Sequence, residues 1–135
     1  MPATICMLYI SRMPTSSSFT GVFPVFQTPY DESYQLDDST LAREFDWMYG
    51  HGVDGVVLAM VSEVLRLSSE ERDQLTRATC RLNRGRGAAI ISVGAESTPV
   101  VVRHAKVAED AGADAVMAIP PTNAACGDDE LLAYY

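Results

Sequence analysis

The feature that most limits what this chain can fold into is a fourfold alternation of short apolar runs with amphipathic, helix-spaced segments. The first run is Gly21-Val22-Phe23-Pro24-Val25-Phe26-Gln27-Thr28, ended by Pro29 and a turn at Asp31-Glu32-Ser33. Leu41, Phe45 and Met48 then fall at i, i+4 and i+7, which predicts a helix over 38–50 with one apolar face. Gly52 is placed to end it.

The second run, Val56-Val57-Leu58-Ala59-Met60, is continuously apolar, as expected of a strand whose sheet is covered by helices. Ser68 and Glu71 have capping-box spacing, and Leu75, Ala78 and Leu82 mark the buried face of a second helix closed by Gly85 and Gly87. Ala88-Ala89-Ile90-Ile91-Ser92-Val93 is the third strand. Thr98 is set to cap a helix with Pro99 at its first position, and Val101, Ala105 and Ala108 form its stripe. Ala115-Val116-Met117-Ala118-Ile119 is the fourth strand. A last helix starts at Gly127 or Asp128 and runs through Leu131, Leu132 and Tyr135.

An order of βαβαβαβα with short connections implies a parallel sheet with right-handed crossovers. The fold class expected is α/β, with residues 20–135 forming the first half of a TIM barrel. A doubly wound open sheet has the same periodicity. Against it, no GxGxxG follows the first strand, and Pro29 with an acidic turn occupies that place. One internal echo favours repeated geometry. His51-Gly52-Val53-Asp54-Gly55-Val56 and Ala111-Gly112-Ala113-Asp114-Ala115-Val116 share a helix-ending Gly and an Asp two residues later, two βα units apart.

Residues 1–19 read differently. Ile5-Cys6-Met7-Leu8-Tyr9-Ile10 is apolar but lacks a preceding basic region, and Ser16-Ser17-Ser18 resembles a flexible leader. The expectation is a disordered or appended leader, with Met13 as an alternative start.

Composition narrows the partners. A net charge of −8 with scattered Lys and Arg argues against nucleic acid or an anionic membrane. No apolar run approaches the roughly 20 residues of a membrane span. Cys6, Cys80 and Cys126 lack ligand spacing, so free thiols in a reducing, cytoplasmic setting are expected, with neither metal nor disulfide.

The residues at this point carry a family likeness. Gly21 through Pro29, Asp46-Trp47, His51 through Gly55, Ser62 through Arg72, Val93 through Thr98 and Ala111 through Val116 together resemble the dihydrodipicolinate synthase / N-acetylneuraminate lyase family. The resemblance covers residues 20–135. It implies a TIM-barrel class I lyase that holds a 2-keto acid as a Schiff base on a sixth-strand lysine, assisted by a fifth-strand tyrosine, with no separate cofactor. The four units of this sequence include neither strand. The single lysine, Lys106, lies mid-helix between His104 and Glu109, whereas a Schiff-base lysine needs a pocket that depresses its pKa. No residue of this chain is therefore assigned a catalytic role.

Substrate-pocket candidates come from the C-terminal ends of the strands, where barrel enzymes place their sites. They are Thr28, then Met60, Val61, Ser62 and Glu63, then Gly94, and finally Pro120 and Thr122. In the synthases and sialate lyases the second loop typically reads Gly-[Thr/Ser]-[Thr/Ser]-Gly-Glu, and the fourth strand ends in Pro-Tyr-Tyr. Here Ala59-Met60-Val61-Ser62-Glu63 and Pro120-Pro121-Thr122 stand instead. Those departures, with Ser69-Glu70-Glu71-Arg72-Asp73 and Met117 through Pro121, are similar to the 2-keto-3-deoxy sugar-acid dehydratases. Met60 and Val61 could equally pack the barrel mouth, and Glu63 could form a helix-end salt bridge. In the loop Gly94-Ala95-Glu96-Ser97-Thr98, backbone N–H groups could face an anion, but Glu96 would repel one and a simple helix cap accounts for the hydroxyls. His51 and His104 show no partner at suggestive spacing.

Two functions remain: part of a 2-keto-acid lyase that is inactive alone, or a non-catalytic half-barrel. Open first and fourth strands would expose apolar surface and favour homo-oligomers in either case.

Overall fold

The computed structural model describes residues 19–59, 64–123 and 125–135. Met60, Val61, Ser62, Glu63 and nearly all of the expected leader lie outside them.

Three strands, β1 (Gly55–Leu58), β2 (Ala88–Ser92) and β3 (Ala115–Met117), form a parallel sheet in that order. Helices α1 (Asp38–Gly50), α2 (Ser69–Asn83), α3 (Thr98–Ala111) and α4 (Asp128–Tyr134) alternate with them. The register runs Val57↔Ile90↔Ala115 and Leu58↔Ile91↔Val116. The first apolar run flanks β1, so four successive chain segments lie side by side without the reversal that defines a doubly wound sheet.

That first run pairs less than expected. Instead of a strand over 21–28 it makes one parallel bridge, Val25↔Val57. Three of its positions offer no N–H to a ladder. The Val22 N–H goes to Asp54 Oδ2 (2.8 Å) and the Gln27 N–H to Glu44 Oε1 (3.0 Å), while Pro24 has no N–H. Its Val22 and Pro24 carbonyls take the Asp54 and Val57 N–H groups, both at 2.9 Å.

Side chains alternate across the sheet. Val56, Leu58, Ala89, Ile91 and Val93 join the main core with Leu41, Phe45, Leu75, Ala78, Val101 and Ala108 from the helices. Val57, Ile90 and Ser92 have the opposite parity and line the other face, which would be the interior of a barrel. Phe26 meets Phe45 edge-on at 5.1 Å and closes the α1 end of the core.

Helix boundaries follow local chemistry. Asp37 caps α1, accepting the N–H groups of Ser39 and Thr40 at 3.0 Å each. The expected capping box opens α2: Ser68 Oγ accepts the Glu71 N–H at 3.2 Å, and Glu71 Oε2 accepts the Ser68 N–H at 2.7 Å. At α3 the cap is Ser97 rather than Thr98. The Ser97 carbonyl already accepts from Val100 and Val101, both at 3.1 Å, which draws Thr98 into the helix.

The last helix starts at Asp128 after Gly127, as expected, and ends at Tyr134, one residue short of Tyr135. Leu132 is 78% exposed and Tyr135 56% exposed, while Tyr134 is buried. Tyr134 joins the apolar core of the molecule, and its hydroxyl donates to the Ile119 carbonyl at the end of the sheet.

Candidate functional site

The C-terminal ends of β2 and β3 are joined by two side chains that reach between their loops. Glu96, in the turn after β2, extends its carboxylate across to the turn after β3. Oε1 accepts the Thr122 N–H and the Thr122 hydroxyl, each at 3.0 Å, and Oε2 accepts the Asn123 N–H at 3.2 Å. These donors, the Thr122 N–H foremost, hold the Glu96 carboxyl below the ordinary glutamate range. Beside it, Tyr134 Oη lies 2.7 Å from the Ile119 carbonyl and 3.1 Å from the Ala95 carbonyl, and accepts the Ala95 N–H at 3.2 Å. Its one proton serves the nearer carbonyl. Together they fix the two turns relative to one another.

The pocket residues expected from sequence separate in space. Thr122 is committed to Glu96, and Pro120 is exposed two residues before it. Gly94 is buried where a Cβ would stand 2.7 Å from the Ile119 side chain, so the chains touch there through a missing side chain. Thr28 lines a small crevice with Tyr30, Leu67 and Leu75, on the α1–α2 side of the molecule. Gly94, Pro120 and Thr122 thus share the β2–β3 rim, and Thr28 does not join them. Met60, Val61, Ser62 and Glu63 belong to the undescribed stretch.

Three polar features escaped the sequence reading. Glu96 bridges two turns across 26 residues. Ser92 ends β2 on the interior face, 1% exposed, and its hydroxyl has no hydrogen-bond partner. Its carbonyl accepts from the buried guanidinium of Arg72 at 2.8 Å. His104 has a partner after all: Nδ1 lies 3.3 Å from Asp73 Oδ1, with Arg103 paired to the same carboxylate. Burial, followed by the nearby Arg72 charge, lowers the His104 pKa. That cluster ties α2 to α3 in the helical layer, away from the strand ends. Only periodic burial at Val101, His104 and Ala108 could have suggested it.

The single lysine, Lys106, is exposed on α3. Of the described cysteines, Cys80 is buried, with its thiol pushed up to about 11 by burial, and Cys126 is partly buried; the two do not form a disulfide with each other. Among the described residues no group of three His, Cys, Asp or Glu is placed to hold a metal, and no helix is long and apolar enough to cross a membrane.

Similarity to known proteins agrees with this architecture. L-2-keto-3-deoxyarabonate dehydratase of Azospirillum brasilense is 36% identical over 115 residues, which are 82% of this chain and 37% of that enzyme. The 4-hydroxy-tetrahydrodipicolinate synthase of Anaplasma marginale (strain Florida) is 31% identical over 103 residues, 76% of this chain and 34% of that one. A prophage protein of the dihydrodipicolinic acid synthase family from E. coli K12, solved in complex with pyruvate, superimposes with a TM-score of 0.83 at 28% identity, covering 87% of this chain and 40% of the other. The chain therefore spans less than half the length of the relatives it matches. The Dihydrodipicolinate synthetase family profile matches residues 18–135, and the chain belongs to that family.

Proposed function

We propose that residues 20–135 supply the first four βα units of a lyase that binds a small 2-keto acid as a Schiff base, and that the nucleophilic lysine comes from outside these residues. The observation that carries this reading is the family match over residues 18–135, joined to the sequential parallel order of the four segments. The similarity to the Azospirillum dehydratase favours dehydration of a 2-keto-3-deoxy sugar acid over aldol condensation. Lys106 is unsuited to the nucleophile's part, because it projects from the outer helical layer rather than toward the strand ends. In this reading the chain contributes walls and rim: apolar interior positions at Val57 and Ile90, the Ser92 hydroxyl, and the turns bridged by Glu96.

The test has two arms. Pyruvate with borohydride should leave the 135-residue chain without a covalent adduct in mass spectrometry; an adduct on Lys106 would refute the assignment of the nucleophile. Co-refolding with the C-terminal remainder of the Azospirillum dehydratase should restore pyruvate trapping on that remainder's lysine. A complex that assembles yet traps nothing would favour the non-catalytic half-barrel. Exposed Val22 and Val25 at one edge and Val116 and Met117 at the other favour self-association in either reading, which sedimentation measures.

A further inference from the structure

Glu96 is a carboxylate seated in a receptor made of another turn's backbone. Two consecutive N–H groups, of Thr122 and Asn123, grip its two oxygens, and the Thr122 hydroxyl adds a third donor. Successive backbone N–H groups converging on one anion form a concavity that binds carboxylates and phosphates without needing a lysine or arginine. Thr122, Asn123 and Glu96 are all exposed, so a dissolved anion can reach the donors, and a displaced Glu96 would return to water. The turn lies beyond the C-terminal end of β3, on the rim where barrel enzymes bind substrate.

We propose that the Thr122–Asn123 turn is a carboxylate-binding cradle, held shut by Glu96, whose external ligand is a small carboxylic acid. Glu96 stands in for that ligand: its Oε1 and Oε2 occupy the positions of the two oxygens of an incoming carboxylate. Only the identity of the acid as a 2-keto acid rests on the functional reading above; the cradle itself rests on the three donors. Because Glu96 is tethered, it competes at an effective concentration in the millimolar range, so removing it should strengthen binding of an external carboxylate about tenfold.

The experiment follows the Thr122 and Asn123 amides in ¹H–¹⁵N spectra of the 135-residue chain during titration with sodium acetate, sodium pyruvate and, as the ionic-strength control, sodium chloride. In Glu96→Ala, acetate should shift both amides along a saturable curve with a midpoint about tenfold lower than in the unmodified protein, and chloride should not. Absence of a saturable shift, or equal midpoints with and without Glu96, would overturn the cradle. A response to acetate without one to pyruvate would keep the cradle and remove the 2-keto acid as its ligand. Should Glu96→Ala lose its folded spectrum, Glu96→Gln carries the same test. Its neutral amide is a weaker acceptor than a carboxylate, so its acetate midpoint should fall between the other two; a midpoint equal to that of the unmodified protein would count against the proposal.

Discussion

The two rims of the sheet are built by different means. At the N-terminal rim an aspartate staples each even-numbered segment to the one before it. The Asp54 N–H donates to the Val22 carbonyl at 2.9 Å while Asp54 Oδ2 accepts the Val22 N–H at 2.8 Å. Asp114 repeats this on Ala89, at 3.0 and 2.8 Å. The repeat that the two Gly-x-Asp stretches share in sequence is thus a repeated hydrogen-bond pair, and both glycines before them have positive φ, +82° and +86°. Between the staples, Gly87 lies where an added Cβ would stand 2.4 Å from the Asp54 carbonyl oxygen. Among the described residues the opposite rim shows no such repeat. It is held by Glu96 and Tyr134, single side chains that bridge neighbouring turns. One rim repeats a paired backbone and side-chain staple, and the other rests on two different side-chain bridges. That division matches the separation of stability from chemistry at the two faces of barrel folds.

The comparison can be broken most forcefully at Gly87. Gly87→Val should destabilise the chain by about 3 kcal/mol, since the Asp54 carbonyl is backbone and cannot yield; urea unfolding with an unchanged m-value checks it. Next comes Asp114→Ala, which strands the Ala89 N–H in a buried position and should cost about 2 kcal/mol. Asp54→Ala should cost about 1 kcal/mol, because Val22 is exposed and water can replace the carboxylate. Equal costs for the two would show that the staples do not depend on burial.

At the other rim, Tyr134→Phe should cost about 1 kcal/mol in the same assay, while accelerating amide exchange at Ala95, which hydrogen exchange resolves residue by residue. The smallest effect on global stability belongs to Glu96. Its folded carboxyl lies below the ordinary value of 4.5, so its bridge is fully present above that pH and is lost as pH falls through the folded value. Acidification should therefore release the Thr122 and Asn123 amides before the rest of the sheet loosens, whereas Glu96→Gln should abolish that pH dependence. Release simultaneous with global unfolding would merge the two rims into one cooperative unit.

Much of the fold was legible because it obeys short-range rules. The stripe Leu41, Phe45 and Met48 is buried as its spacing requires, and Ser68 with Glu71 forms the box its separation permits. Where the reading failed, a competing partner won. The first run lost its ladder because Asp54 and Glu44 took two N–H groups and Pro24 offered none. The candidate site was less legible still: Gly94, Pro120 and Thr122 lie at one rim while Thr28 lines a separate crevice, and no spacing along the chain signalled that Glu96 reaches the next turn.

The amino-acid sequence by itself determined the alternation of elements, the capping box of α2, the apolar faces and the paired Gly-x-Asp turns, all of which depend on residues a few positions apart. Only the tertiary structure decided that Glu96 meets Thr122 across 26 residues, that Tyr134 closes on Ala95, and that Asp73 meets His104. Those contacts exist because parallel strands bring distant turns to one rim. Which side chain then satisfies which backbone group depends on distances of an ångström or less, and no spacing along the chain encodes them.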